Sequence, residues 1–183
     1  MDLRQKKTIR SIQRAFLELR AKKPLEKIRV RELAEQAEIS TATFYLHYKD
    51  IYDLSSQMQR ELVEEIIAGL QLPADDIILR DPVQFAHAIL RACQEQQGKI
   101  AVLFSDSQFS NLPQIVETVI LEGIRRSFSG KKMDSRIELL LSYHINGFFS
   151  VYQRWYDKIG MDQIIETLQE YCPMRYPEAG EEK

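Results

Sequence analysis

Glycine and proline are scarce in this chain, seven and six residues among 183. Long stretches pass without a turn residue, which argues against a turn-rich β fold and predicts an all-α protein. Only two cysteines occur, Cys93 and Cys172, with no CxxC or Cys/His spacing. That excludes a disulfide framework and a zinc module and leaves two reduced thiols. No long apolar run exists either. The most apolar stretch, Leu139 to Tyr152, is interrupted by His144, Asn146 and Gly147 and is too short to span a bilayer. The opening MDLRQKKTIR is polar and basic where a secretory signal would be apolar, so a cytoplasmic protein with no membrane contact is expected. Catalytic signatures are missing as well: no GxSxG, no phosphate loop, no Glu-x-x-His pair and no metal-ligand cluster. His47, His87 and His144 are spread along the chain with no nucleophile in register. An enzyme is therefore the weakest functional class, and no catalytic residue, cofactor or metal is expected.

What is present is an uneven distribution of charge. The net value is only −2, yet Met1 to Lys49 carries 12 Lys/Arg against 6 Asp/Glu, a net of +6. From Asp50 onward the count is 13 against 21, a net of −8. A basic head and an acidic body point to a polyanionic partner for the head alone.

Helical periodicity and punctuation divide the chain. Thr8 is placed to cap a first helix with Ile12, Ala15, Phe16 and Leu19 inward, ended by Lys22, Lys23 and Pro24. A short second helix reads VRELAEQA, and Ser40 starts a third. Asp50 caps a fourth helix, with Asp53 completing a variant of the capping box; it runs towards Leu70 and stops before Pro73. The second region opens at Asp81-Pro82 with a helix to Gln97, closed by Gly98 in a left-handed position. Helices are expected over 99–105 and 112–128, then from a cap at Asp134 to Ile159, with Gly160 as the stop and a final helix from Asp162 to Tyr171. The domain reading is residues 1–54 for the head, helix four continuing to about 70 as connector, 75–173 for the body and 174–183 as a tail.

The segment Val30 to Tyr48 has the form of a helix-turn-helix, whose second helix enters the major groove of duplex DNA. Leu33, Ala34, Ala37, Ile39, Phe44 and Tyr48 can face inward together, the small alanines permitting a close crossing. Thr41, Ala42 and Thr43 then stand at the start of the third helix, the part that meets base edges. A Thr methyl can touch a thymine methyl, and its hydroxyl serves donors or acceptors. Tyr45, His47 and Lys49 each carry a donor for a phosphate oxygen, as do Arg29 and Arg31 beside the start of the second helix. Arg4, Lys6 and Lys7 are placed to form an arm along the backbone or into the minor groove. The duller alternative makes Tyr45 a half-buried packing residue and lets His47 cap a neighbouring helix or bond a carbonyl.

The stretches IRSIQRAFLEL and IRVRELAEQAEISTATFYLHYKDIYDL resemble the TetR family of one-component transcriptional regulators, TATFYLHYK above all. The resemblance covers roughly the first sixty residues. It implies phosphate contacts at Tyr45, His47 and Lys49 and base-facing roles for Thr41, Ala42 and Thr43. Three positions depart from the family pattern: Glu38 where the turn often has glycine, Arg29 where a threonine often starts the second helix, and Ile51 where a second phosphate-binding lysine often sits. HINGFFSVYQRWYDKIGMDQIIETL more weakly resembles the dihydroxyacetone kinase regulator group. The function implied is a homodimeric repressor that binds a palindromic double-stranded operator and is released by a small-molecule effector. The alternative is a relative that has lost operator binding and acts through protein contacts.

For the dimer, Ile137, Leu141, His144, Phe148, Tyr152 and Trp155 form a broad stripe on one long helix, and Ile164, Ile165 and Leu168 another on the last. Two helices from each subunit would make a symmetric interface, with Gly147 admitting a close backbone. An effector pocket, if present, is expected from Phe85, His87, Phe104, Phe109, Tyr143 and His144.

Overall fold

The computed structural model describes residues 3–70, 82–105, 111–127 and 135–171. Among these residues the chain is all-α, with no strand. The elements are α1 (Leu3–Arg20), a 3-10 turn (Leu25–Lys27), α2 (Val30–Gln36), α3 (Thr41–Tyr45), α4 (Ile51–Gly69), α5 (Pro82–Glu95), α6 (Gln97–Leu103), α7 (Leu112–Ser127) and α8 (Ser135–Tyr171). No described helix is long and apolar enough to cross a membrane. The expected boundary at Pro73, the caps at Asp81 and Asp134, Phe109, Cys172 and the tail 174–183 lie outside the described residues.

Two compact units emerge. The first comprises Met1–Leu62 and Gln97–Ser110, the second Val63–Gln96 and Asn111–Lys183, so the division falls inside α4. In the first unit, Ile12, Ala15, Phe16 and Leu19 are buried against Leu33, Ala34, Phe44 and Leu54. α1 begins at Leu3, five residues before the expected cap. Thr8 is an interior residue whose hydroxyl donates back to the Arg4 carbonyl at 3.1 Å. Arg4, Lys6 and Lys7 accordingly belong to a helix rather than to an extended arm.

α6 belongs to this first unit although it lies among residues of the body in sequence. Two buried polar side chains hold its end: Gln59 donates to the Leu103 carbonyl at 2.8 Å and Arg20 to the Ser105 carbonyl at 3.1 Å. A carbonyl at a helix end lacks an intrahelical partner, so these donors answer an unmet requirement. Phe104 is 1% exposed beside them. Gly98 is helical within α6 and not left-handed; the chain breaks between α5 and α6 at Gln96 instead.

In the second unit α5 and α7 pack on α8. Ile137, Leu141, Ile145, Phe148 and Phe149 form the buried face of α8 against Val116, Val119, Ile120 and Ile124 of α7. Glu117 of α7 accepts from Ser142 at 2.6 Å and from Asn146 at 2.7 Å, while Arg125 pairs with Glu138 at 2.8 Å. At Gly160 the backbone takes φ 75°, ψ 171°, a region open to glycine almost alone, and the helix breaks there as the sequence reading expected.

Candidate nucleic-acid interface

The turn between α2 and α3 is built from an unusual conformation. Glu38 has φ 57°, the only positive φ among described non-glycine residues. It serves as the left-handed residue of a Schellman ending for α2. The Ile39 amide donates to the Ala34 carbonyl at 3.0 Å, and the Glu38 amide donates to Glu35 at 3.2 Å. Ile39 and Ala34 are thereby brought together at the helix end. The α2–α3 crossing follows from that turn, and a non-glycine residue holds it at a cost of about 1–2 kcal/mol.

Ser40 then caps α3. Its hydroxyl accepts from the Thr43 amide at 3.0 Å and lies 2.8 Å from the Thr43 hydroxyl. Phe44 is fully buried, with Tyr48 packed against it at a ring distance of 5.7 Å. Burial, then the nearby Glu61 carboxylate, pushes the Tyr48 phenol up to about 12. α3 ends at Tyr45, and with these two anchors inward the other residues of 41–49 are exposed or half-buried. Thr41, Ala42 and Lys49 are exposed, Tyr45 is 58% exposed, and Thr43 and His47 are half-buried. The Tyr45 ring stands edge-on to Phe44 at 5.5 Å while most of its surface stays open. Leu46, 82% exposed, joins this outward surface and was not singled out by the sequence reading; an apolar residue among inward-facing aromatics gives no signal of its exposure.

Arg29 is the N-cap of α2 and exposed, with no side-chain cap bond. Arg31 is exposed too, but its guanidinium pairs with Glu35 at 3.1 Å one turn on. Surface pairs of this kind are weak, so a phosphate can compete for it. Ile51, in contrast, is buried under the start of α4. That start is the capping box expected: Asp50 accepts from the Asp53 amide at 2.8 Å and Asp53 from the Lys49 amide at 2.9 Å. The backbone of Lys49 is thus tied down at the end of the exposed surface.

Of the residues expected to line an effector pocket, Phe104, Tyr143 and His144 have described side chains. Phe104 is core of the first unit; Tyr143 is 71% exposed, with its ring 5.4 Å from His144. Burial lowers the pKa of half-buried His144. Phe85 and His87 lie on α5, with side chains outside the described residues. A cavity of about 340 Å³ lies between the end of α4 and α5, lined by Glu65, Ile66, Ala88, Arg91 and Glu95 among others. No described group of three or more His, Cys, Asp or Glu is arranged to hold a metal. Cys93 is a lone thiol that burial pushes up to about 11, too high for a thiolate nucleophile at neutral pH.

The interface stripe also needs correction. Leu141, Phe148 and Ile165 are buried within their own unit, as are Ile137 and Ile164; Tyr152 and Leu168 are half-buried, and Trp155 is 42% exposed. The side chains that stand free on α8 are Leu139, Tyr143, Trp155 and Ile159. The physical reason is that α8 has two apolar faces, and its own unit covers the one that periodicity ranked first.

No family model, curated protein or solved structure matches the chain.

Proposed function

We propose that the chain is a DNA-binding transcriptional regulator of the TetR kind, a homodimeric repressor whose α2–turn–α3 segment is a helix-turn-helix. One observation carries this reading. The segment 41–49, α3 with the turn that follows it, buries Phe44 and Tyr48 and leaves Thr41, Ala42, Tyr45 and Lys49 exposed, next to half-buried Thr43 and His47. A helix that merely met water would have no reason to expose an aromatic beside small polar residues at its N-terminal end. On a duplex, that end contacts base edges and the following donors contact phosphates.

Dimerisation supplies the second recognition helix, about 34 Å away for half-sites one helical turn apart. A row of α8, exposed at its ends and half-buried at Gly147 and Val151, suits a twofold partner. Leu139, Tyr143, Gly147, Val151, Trp155 and Ile159 are spaced four apart on one ridge. An antiparallel crossing centred near Phe149 would pair Gly147 with Val151 and bring Tyr143 towards Trp155, since the row turns about 40° per step around the axis. A Cβ added at Gly147 meets nothing within 4 Å, so a second backbone can approach there. An effector that releases the operator must bind more tightly to the form whose recognition helices are misspaced.

The test is a gel shift or anisotropy titration against the chain's selected operator. Replacing Tyr45 by Ala should weaken binding at least tenfold, about 1.4 kcal/mol, with unchanged helical circular dichroism and melting. Full-strength binding by that variant would overturn the assignment of α3. A second reading, a co-regulator that docks on protein, is favoured by two features: buried Ile51 offers no charge, and exposed Glu38 sets a carboxylate on the turn. It predicts no duplex binding even by the unaltered chain.

A further inference from the structure

We infer that Arg4 and Lys7 of α1 form a second phosphate-binding element, set beside the start of α3 by the Ser11–Ala37 hydrogen bond. The inference rests on the DNA-binding reading above and adds a contact that acts outside the recognition helix.

The Ser11 hydroxyl donates to the Ala37 carbonyl at 2.9 Å, so this point of α1 lies against the turn that leads into α3. Arg4, Lys7 and Ser11 are spaced i, i+3 and i+7 and share one face of the helix. At 1.5 Å of rise per residue, Lys7 lies about 6 Å and Arg4 about 10 Å beyond Ser11 along the axis. Both are exposed, and neither has an acidic partner among the described residues. The turn to which Ser11 is tied carries the exposed carboxylate of Glu38. That charge repels a phosphate backbone drawn close to α3, and two unpaired cations at the same edge offset it. Lys6 and Arg10, also exposed, fall a quarter-turn or more around the helix from the Ser11 face and away from the turn.

Phosphate contacts release counterions, and each contributes about 0.9 to the slope of log affinity against log salt. The experiment uses the full-length chain and a mixed-sequence duplex of about 30 base pairs, long enough for two half-sites one turn apart. Affinities are measured by anisotropy over a salt series for the unaltered chain, for R4Q/K7Q and for K6Q/R10Q. All four positions are solvent-exposed, and melting curves check that each double variant is folded.

R4Q/K7Q should flatten the slope by about 3 to 4, four contacts per dimer at about 0.9 each. K6Q/R10Q, with the same loss of charge, should change it by less than about 1, the weight of a single contact. A change below about 1 in R4Q/K7Q, or an equal change in both variants, overturns the inference and leaves DNA binding standing. If the unaltered chain fails to bind the duplex at low salt, the regulator reading falls and this element falls with it.

Discussion

Adjacent residues of α3 have opposite fates. Phe44 is fully buried while Tyr45 is largely exposed. Both are aromatic, so side-chain chemistry does not separate them; their positions about the helix axis do, one facing α1 and α2 and the other turned out. Glu38 is a different case, a residue whose backbone conformation is set by the turn and not by its own preference. Replacing it by glycine removes about 1–2 kcal/mol of left-handed strain and adds about 0.5–1 kcal/mol of lost freedom. Glu38→Gly should therefore stabilise the protein by roughly 0.5–1 kcal/mol, the difference of those two figures. Glu38→Ala, still an L-residue at φ 57°, should not. Urea midpoints for the two variants decide it, and a gain in both would mean that the carboxylate and not the backbone is the source.

Among the elements, α4 was legible from its first turn because its cap is a local code. Asp50 and Asp53 exchange bonds with backbone amides three and four residues away, and no distant part of the chain is needed. The cap also carries a pH signature. The Lys49 amide, then Gln57, holds the Asp53 carboxyl below its ordinary 3.8. A folded value below the unfolded one means that the folded state binds fewer protons. The cap's contribution is thus complete above the ordinary value and is lost as pH falls through the folded value. Asp53→Asn should flatten the acid limb of a melting-temperature profile while leaving neutral-pH recognition by α3 in place. Asp53 is solvent-exposed, so the effect should shrink in added salt; an unchanged acid limb would contradict the assignment. α1 was read less well at its start, because Thr8 is an equally good cap residue and an interior hydroxyl that bonds the preceding turn.

At the scale of the whole molecule, the decisive feature is the second apolar face of α8. Tyr143→Glu should abolish the proposed dimer, seen by sedimentation as a monomer, with little change in the monomer's melting, since Tyr143 is 71% exposed within its own unit. Leu141→Glu should instead unfold that unit, because it forces a charge into a packed core. Dimerisation that survives Tyr143→Glu would move the interface off this face. Operator affinity should drop together with the dimer, since one subunit presents only one recognition helix.

Sequence by itself determined most of what is local here. The caps at Ser40 and Asp50, the break at Gly160 and the inward set of Leu33, Ala34, Phe44 and Tyr48 each depend on neighbours within a few residues. Tertiary structure decided the rest. α6 joined the first unit through Gln59 and Leu103, 44 positions apart, and Arg20 and Ser105, 85 apart. The buried face of α8 was chosen by α7, and one bond from Ser11 ties α1 to the end of α2. Periodicity names which side chains avoid water; only the folded chain says whether its own helices or another molecule provide the shelter.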